Sequence, residues 1–132
     1  PFTPVAEKPN TIIDVISDPQ DDPEDYKLAI RRLNAMPEKA SALVINGDLV
    51  DNGSQEQWDK FLAARKEVPH DSGVELWTIG NHEMYGNETS EVHMRRFLTY
   101  SGQEKPWNEV VVNGTPLISI NTEYYSDIDR GG

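Results

Sequence analysis

Gly47-Asp48-Leu49-Val50-Asp51 and Gly80-Asn81-His82-Glu83 are the two stretches of sequence that decide the fold of this chain. Each directly follows an apolar segment typical of a buried β-strand, and each carries oxygen or nitrogen donors. A third stretch, Ser17-Asp18-Pro19-Gln20, follows the apolar segment Thr11–Ile16 in the same way. Because parallel strands bring their carboxyl ends to one edge of a sheet, these loops predict a metal site there.

The pattern of apolar residues predicts strands and helices in alternation. Short runs rich in β-branched residues predict strands at Thr11–Ser17, Ala42–Ile45 and Val74–Ile79. Capping residues and apolar side chains at helical spacing predict helices that begin near Asp22, Ser54 and Glu91. Asn113-Gly114 stands between two apolar runs and predicts a hairpin near the end of the chain. Such alternation is typical of an α/β fold with a parallel sheet, in which the first strand is expected to be central.

Composition limits the partners that the chain can have. The 132 residues include 12 basic and 23 acidic side chains, which gives a formal net charge of −11 at pH 7. No basic run could neutralise a phosphate backbone, so we do not expect nucleic acid as a partner. The chain has no cysteine, which excludes disulfides and thiolate metal ligands. No segment approaches the roughly 18 apolar residues that a membrane-spanning helix needs.

The candidate metal ligands of the first two loops are carboxylates and an amide. Asp18 and Gln20 are two residues apart, so in an extended segment both side chains point the same way and could reach one cation. Asp48 follows Gly47, which permits close approach of the backbone, and a single carboxylate can bridge two metals. The same residue types are common in turns, so each segment taken alone is also compatible with an ordinary loop.

The third loop adds an amide and an imidazole. Asn81 offers a neutral oxygen ligand, which holds a cation without adding negative charge that would repel a phosphate. His82 can act as a proton donor or as a cation that faces a phosphate. Asp51 could hydrogen-bond a nearby histidine and fix the orientation of its ring. The alternative for His82 is an exposed loop histidine.

The other two histidines are not expected at this site. His70 lies in the predicted loop Val68–Gly73 and is expected to be solvated at the surface. His93 lies in the third predicted helix and is expected to be a hydrogen-bonded histidine of that helix. Asp14 is an unexplained carboxylate within an apolar strand.

Taken together, the order Asp-x-Gln, Gly-Asp-x-x-Asp and Gly-Asn-His-Glu resembles the calcineurin-like metallophosphoesterase family. The likeness extends from Thr11 to about Glu123. It implies a four-layer α/β/β/α sandwich, of which this chain is expected to form the first part, with a mostly parallel sheet and a C-terminal hairpin. We expect residues 1–10 to be a linker or lead-in and residues 11–132 to be the N-terminal part of the domain. The lead-in also resembles the join before the catalytic domain in some secreted members, which suggests a secreted or cell-surface protein.

The resemblance implies a site with two metal ions, Fe, Mn or Zn. By this likeness Asp18 and Gln20 bind the first metal, Asp48 bridges both and Asn81 binds the second. Family members usually have histidine where this chain has Gln20. This substitution leaves the identity of the first metal open, because an amide oxygen is a harder donor than an imidazole.

The activity implied is metal-assisted hydrolysis of a phosphoester, by a phosphatase or a phosphodiesterase. His82 stabilises the transition state or protonates the leaving oxygen in this reading, and Asp51 orients it. The later histidine motifs of the family have no match here, since no histidine follows His93. We therefore expect the C-terminal half of the domain to complete the site, and this chain alone to be poorly active and to expose an apolar face. The alternative is a non-catalytic metal-binding or interaction module of the same fold.

Overall fold

The computed structural model describes residues 11–20 and 22–122, and within these ranges it confirms the predicted order of elements. The strands of the described residues are β1 (Ile13–Ile16), β2 (Ala42–Asn46), β3 (Glu75–Thr78), β4 (Asn108–Val112) and β5 (Thr115–Ser119). The three α-helices are α1 (Pro23–Asn34), α2 (Gln55–Glu67) and α3 (Ser90–Ser101). A single 3-10 turn, His82–Met84, follows β3 and was not predicted. The expected lead-in at residues 1–10 lies outside the described residues.

The first three strands form a parallel sheet in the order β1-β2-β3. Val15 pairs with Val44 and Ile45 pairs with Trp77, so the three carboxyl ends lie at the same edge. The expectation that the first strand is central is wrong for the described residues, since β2 is central and β1 is at the edge. Val15 on this edge strand is 62% exposed.

Each helix begins where a side chain can accept hydrogen bonds from its first turn. Asp22 Oδ1 accepts from the backbone N–H groups of Glu24 and Asp25, at 2.8 and 3.2 Å. Ser54 Oγ accepts from the backbone N–H of Gln57 at 3.4 Å. Such caps satisfy N–H groups that have no partner within the helix, and each is worth about 1 kcal/mol.

The helices cover the sheet through an aromatic core. Trp58 of α2 is fully buried and stacks on Trp77 of β3, with ring centroids 6.2 Å apart. Phe61 forms T-shaped ring pairs with Tyr26 and Trp77, with ring centroids 5.2 and 5.4 Å apart. Burial of each such side chain stabilises the fold by roughly 2–3 kcal/mol. This core fixes α1 and α2 against the sheet and therefore fixes the loops that connect them.

The predicted hairpin is formed by β4 and β5. Asn113 and Gly114 have φ values of 50° and 79°, as a two-residue type I′ turn requires, and Val112 pairs with Thr115. Ile118 and Ile120 are 68% and 69% exposed. These exposed side chains are apolar, and an exposed apolar face was expected from the sequence. That the C-terminal half of the domain covers this face stays a prediction.

The helices of the described residues are short and amphipathic. The longest, α2, has 13 residues, and none in this part of the chain is long and apolar enough to cross a membrane.

Candidate active site

Hydrogen bonds join the three strand-end loops at the carboxyl edge of the sheet. The backbone N–H of Asp18 donates to the carbonyl oxygen of Gly47 at 3.1 Å. Asp48 Oδ1 accepts from the backbone N–H of His82 at 3.0 Å. The loop after β2 therefore contacts both of the other loops, and the candidate residues of all three lie at one edge.

The backbone of two candidate ligands is in the left-handed region. Asp18 has φ 54° and Asp48 has φ 51°, and Asn113 in the hairpin is the other such non-glycine residue in the described ranges. This conformation costs on the order of 1–3 kcal/mol and is common at functional sites. Because Asp18 is not extended, the expectation that it points the same way as Gln20 through strand alternation has no structural basis.

Gln20 is placed differently from the other candidates. It lines a cavity of about 450 Å³ that is also lined by Asp51 and by Lys60 of α2. Its Oε1 atom is buried and has no hydrogen-bond partner among the described residues. A buried amide oxygen without a partner is costly, and a cation or a water molecule would satisfy it.

Close packing of two glycines allows the loops to meet. A Cβ atom added at Gly80 would lie 2.2 Å from Asp48 Oδ1, which is far inside van der Waals contact. One added at Gly47, where φ is 82°, would lie 3.4 Å from Gly80 Cα. The Asp48 carboxylate therefore occupies space that only glycine at position 80 leaves open. Another cavity, of about 320 Å³, is lined by Asp48, Gly80 and Ser119 of β5.

His82 is partly buried, with 25% of its side chain exposed. Its Nδ1 atom lies 2.7 Å from the carbonyl oxygen of Asp51 and 3.7 Å from the Asp51 carboxylate. A carbonyl only accepts, so Nδ1 carries a hydrogen and Nε2 is the nitrogen that can take or release a proton. Asp51 therefore contacts the ring mainly through its backbone, whereas the sequence suggested its side chain.

Asn81 is held by a residue to which the sequence gave no role. Its Nδ2 group donates to the hydroxyl of Tyr85, which leaves Oδ1 as the acceptor atom of the amide. The Tyr85 ring also lies 4.8 Å from the His82 ring, between centroids. Tyr85 thus orients both side chains of the third loop. The aromatic ring of Tyr85 within a polar loop was the signal in the sequence that could have indicated this role.

Glu83 is the second residue that the sequence reasoning missed. It is fully buried, and its carboxylate accepts backbone N–H groups of both the Asp48 loop and Gly80. Burial raises the pKa of Glu83 to about 7, and the nearby Asp48 charge adds to this rise, while the N–H groups lower it. In the sequence, Glu83 is only the last residue of the Gly80-Asn81-His82-Glu83 motif. The sequence gives no sign of the backbone groups that it binds.

The other two histidines make contacts outside the candidate donor set. The expectation that His70 is solvated is wrong: its side chain is 3% exposed, and Nε2 lies 2.8 Å from Asp14 Oδ2. This pair explains the carboxylate within β1. His93 is buried, as a hydrogen-bonded helix histidine should be, with Nδ1 3.2 Å from the carbonyl oxygen of Glu83.

The donor set of the edge suits a hard cation. Asp18 and Asp48 supply carboxylates, while Asn81 and Gln20 supply amide oxygens, and the unpartnered Gln20 Oε1 is consistent with a ligand. Oxygen donors of this kind favour ions such as Mn²⁺. Among residues 11–20 and 22–122, no group of three or more His, Asp or Glu side chains is placed to hold a metal. The types of donor in the described residues therefore suit a metal, but these residues do not by themselves form a complete site.

Comparison with known proteins identifies the family. The family model described as calcineurin-like phosphoesterase matches residues 12–132, so the chain belongs to this family. No curated protein matches the chain. The parallel sheet, helices and hairpin agree with the metallophosphoesterase fold. Membership indicates metal-dependent hydrolysis of phosphoesters, with divalent metals bound and phosphoesters as substrates.

Proposed function

We propose that this chain takes part in phosphoester hydrolysis at a site with two metal ions, either as a phosphatase or as a phosphodiesterase. The observation that carries the proposal is the hydrogen bond from the His82 N–H to the Asp48 carboxylate, because it joins two of the three donor loops. Asp18 and Gln20 are proposed to hold one metal, Asn81 the other, and Asp48 both. The metals are Fe, Mn or Zn, and further ligands come from outside the described residues.

The metal ions, when bound, supply Lewis-acid polarisation of the phosphoester and an activated water molecule. The chain's own residues then orient the reacting groups. Asp48 is held in one direction by the His82 N–H group, and Tyr85 holds the Asn81 amide with its oxygen available. Such fixed geometry lowers the barrier because little reorganisation is needed during the reaction.

His82 is proposed to carry the proton that the leaving oxygen needs. The Asp51 carbonyl fixes a hydrogen on Nδ1, so Nε2 is the ring nitrogen through which a proton would reach the leaving oxygen. Side-chain exposure of 25% keeps the ring accessible to a substrate. Asp51 is the residue that orients the ring.

The proposal is tested by removing and restoring metal in the full-length protein. The protein is stripped with a chelator, dialysed and assayed with p-nitrophenyl phosphate and bis-p-nitrophenyl phosphate, before and after Mn²⁺ is added. We expect hydrolysis to disappear on stripping and to return with Mn²⁺. Hydrolysis that persists without metal contradicts the proposal.

A non-catalytic metal-binding module is the second candidate. The absence of a third ionisable ligand among the described residues, together with Gln20 in a position where histidine is usual, favours it. Stoichiometric binding of Mn²⁺ without hydrolysis of either substrate would support this candidate over the enzyme.

A further inference from the structure

Glu83 connects two of the strand-end loops through one buried carboxylate. Its Oε1 atom accepts the backbone N–H groups of Leu49 and Val50, at 2.5 and 3.2 Å. Its Oε2 atom accepts those of Asp48 and Gly80, at 3.1 and 2.6 Å. Four N–H groups that no strand or helix satisfies therefore converge on a side chain that is 0% exposed.

The connection between the loops is reciprocal. Glu83 of the third loop binds the backbone of the second, and Asp48 of the second binds the backbone N–H of His82 in the third, at 3.0 Å. Asp48 also has a φ of 51°, which is uncommon for a residue other than glycine. The contacts of Glu83 lie on Asp48 itself and on the two residues that follow it.

We propose that Glu83 is the positioning residue that fixes the backbone of Asp48 and thereby the direction in which the Asp48 carboxylate faces the metals. This inference rests on the proposed function. Glu83 is fully buried and both of its oxygen atoms are occupied, so it acts through Asp48 and Gly80 and not on the substrate.

Only a carboxylate of this length suits the position. A carboxylate accepts at both oxygens, whereas glutamine would direct an amide NH₂ group towards two N–H donors. Aspartate keeps the charge but is one methylene shorter, so it cannot reach all four N–H groups at once. The main chain of Glu83 is held as well, since His93 Nδ1 donates to its carbonyl oxygen at 3.2 Å.

The test uses the full-length protein with Glu83→Gln and Glu83→Asp, and Glu88→Gln as the matched control. Glu88 is an accessible glutamate of the same β3–α3 connection, and its carboxylate pairs with Arg96 and not with the backbone N–H groups that Glu83 binds. Mn²⁺ affinity is measured by calorimetry, together with kcat and KM. We expect Glu83→Gln to weaken Mn²⁺ binding by roughly 10- to 100-fold and to lower kcat similarly, with KM within threefold. Glu83→Asp should fall between it and the wild type, and Glu88→Gln should match the wild type.

A second measurement needs no variant. Amide hydrogen exchange of Leu49 and Val50 is followed by NMR in the metal-free wild type, where we expect strong protection. Rapid exchange of these amides before metal is added overturns the proposal, even if Glu83→Gln does not fold. Mn²⁺ binding by a folded Glu83→Gln within twofold of the wild type also overturns it. Failure of the proposed function is distinguishable from failure of this proposal, because the wild type itself would then bind no Mn²⁺. In that case the exchange data still decide whether Glu83 holds the loop.

Discussion

His70 and His82 lie at opposite ends of the same strand, and each has an aspartate nearby. His70 precedes β3, is 3% exposed in its side chain and has Nε2 2.8 Å from the Asp14 carboxylate. Its Nδ1 atom lies 2.7 Å from Ser72 Oγ, so both ring nitrogens are occupied. His82 follows β3, is 25% exposed and lies 3.7 Å from the Asp51 carboxylate. We call the His70–Asp14 pair closed, because it is buried and both ring nitrogens are bonded, and the His82–Asp51 pair open, because it is accessible and more widely spaced.

The difference between the two pairs indicates that His70 and Asp14 stabilise the fold, whereas His82 and Asp51 are available for chemistry. At the amino end of the sheet, a buried histidine and a carboxylate satisfy each other and fix the loop before β3. At the carboxyl end, Asp18 and Asp48 have left-handed backbone, and the Asp48 carboxylate accepts the His82 N–H. Changes at the two ends should therefore affect different measurements.

The largest effect is expected from Asp48→Asn. The amide keeps the size of the side chain but loses the charge that is proposed to bridge two metals, so metal binding and kcat/KM should each fall by roughly 100-fold or more. Mn²⁺ calorimetry and phosphoester hydrolysis measure this loss. Asp14→Asn at the other end is the matched control and should leave Mn²⁺ affinity unchanged. An equal loss of Mn²⁺ affinity in both variants would contradict the assignment of metal binding to the carboxyl end of the sheet.

His82→Gln should separate proton transfer from metal binding. The variant removes the proposed proton donor, so kcat should fall by roughly 10²- to 10⁴-fold, whereas Mn²⁺ affinity should stay within threefold. Steady-state kinetics at saturating Mn²⁺ measures both. If kcat is retained, His82 has no role in the chemistry and is an ordinary exposed loop histidine.

His70→Ala should affect stability alone. It leaves the Asp14 carboxylate, which is 15% exposed, without its partner, at a cost of about 2–4 kcal/mol in the free energy of unfolding. Urea unfolding of the metal-free protein measures this cost. The kcat below the unfolding temperature should be within threefold of the wild type. A variant as stable as the wild type would show that the closed pair contributes nothing.

The smallest effect concerns Tyr26, which interacts with Glu75 at the amino end of β3. Burial raises the pKa of Tyr26 well above its ordinary value of 10.0, and the Glu75 charge adds to this rise while Arg65 opposes it. A raised folded pKa means that stability is fully present below about pH 10 and is then lost by about 1 kcal/mol per pH unit. Tyr26→Phe should lose less stability than the wild type between about pH 10 and 11 in urea unfolding. Parallel losses contradict the assignment.

Much of this arrangement is predictable from sequence because its causes are local. The apolar runs that end at Gly47 and Gly80 predict strands and the position of the loops, and Asn113-Gly114 predicts the hairpin turn. These signals depend on residues that are adjacent in the chain. The family likeness, carried by the same motifs, is confirmed by the match over residues 12–132.

The contacts that fix the site could not be predicted, because their partners are distant in sequence. Glu83 binds Leu49 across 34 residues, and His70 binds Asp14 across 56 residues. A single sequence contains no signal for either pairing beyond a charged residue in an apolar setting. The left-handed backbone of Asp18 was equally hidden, because the segment is compatible with an extended chain. The roles of the six candidate residues remain predictions.

The most direct test of the central claim is an anomalous difference map from crystals of the full-length protein grown with Mn²⁺. We expect the strongest peaks at the carboxyl edge of the sheet, within about 2.6 Å of Asp48 carboxylate oxygens and next to Asp18 and Asn81. A map without density at Asp48, or with its strongest peak between Asp14 and His70, would contradict it.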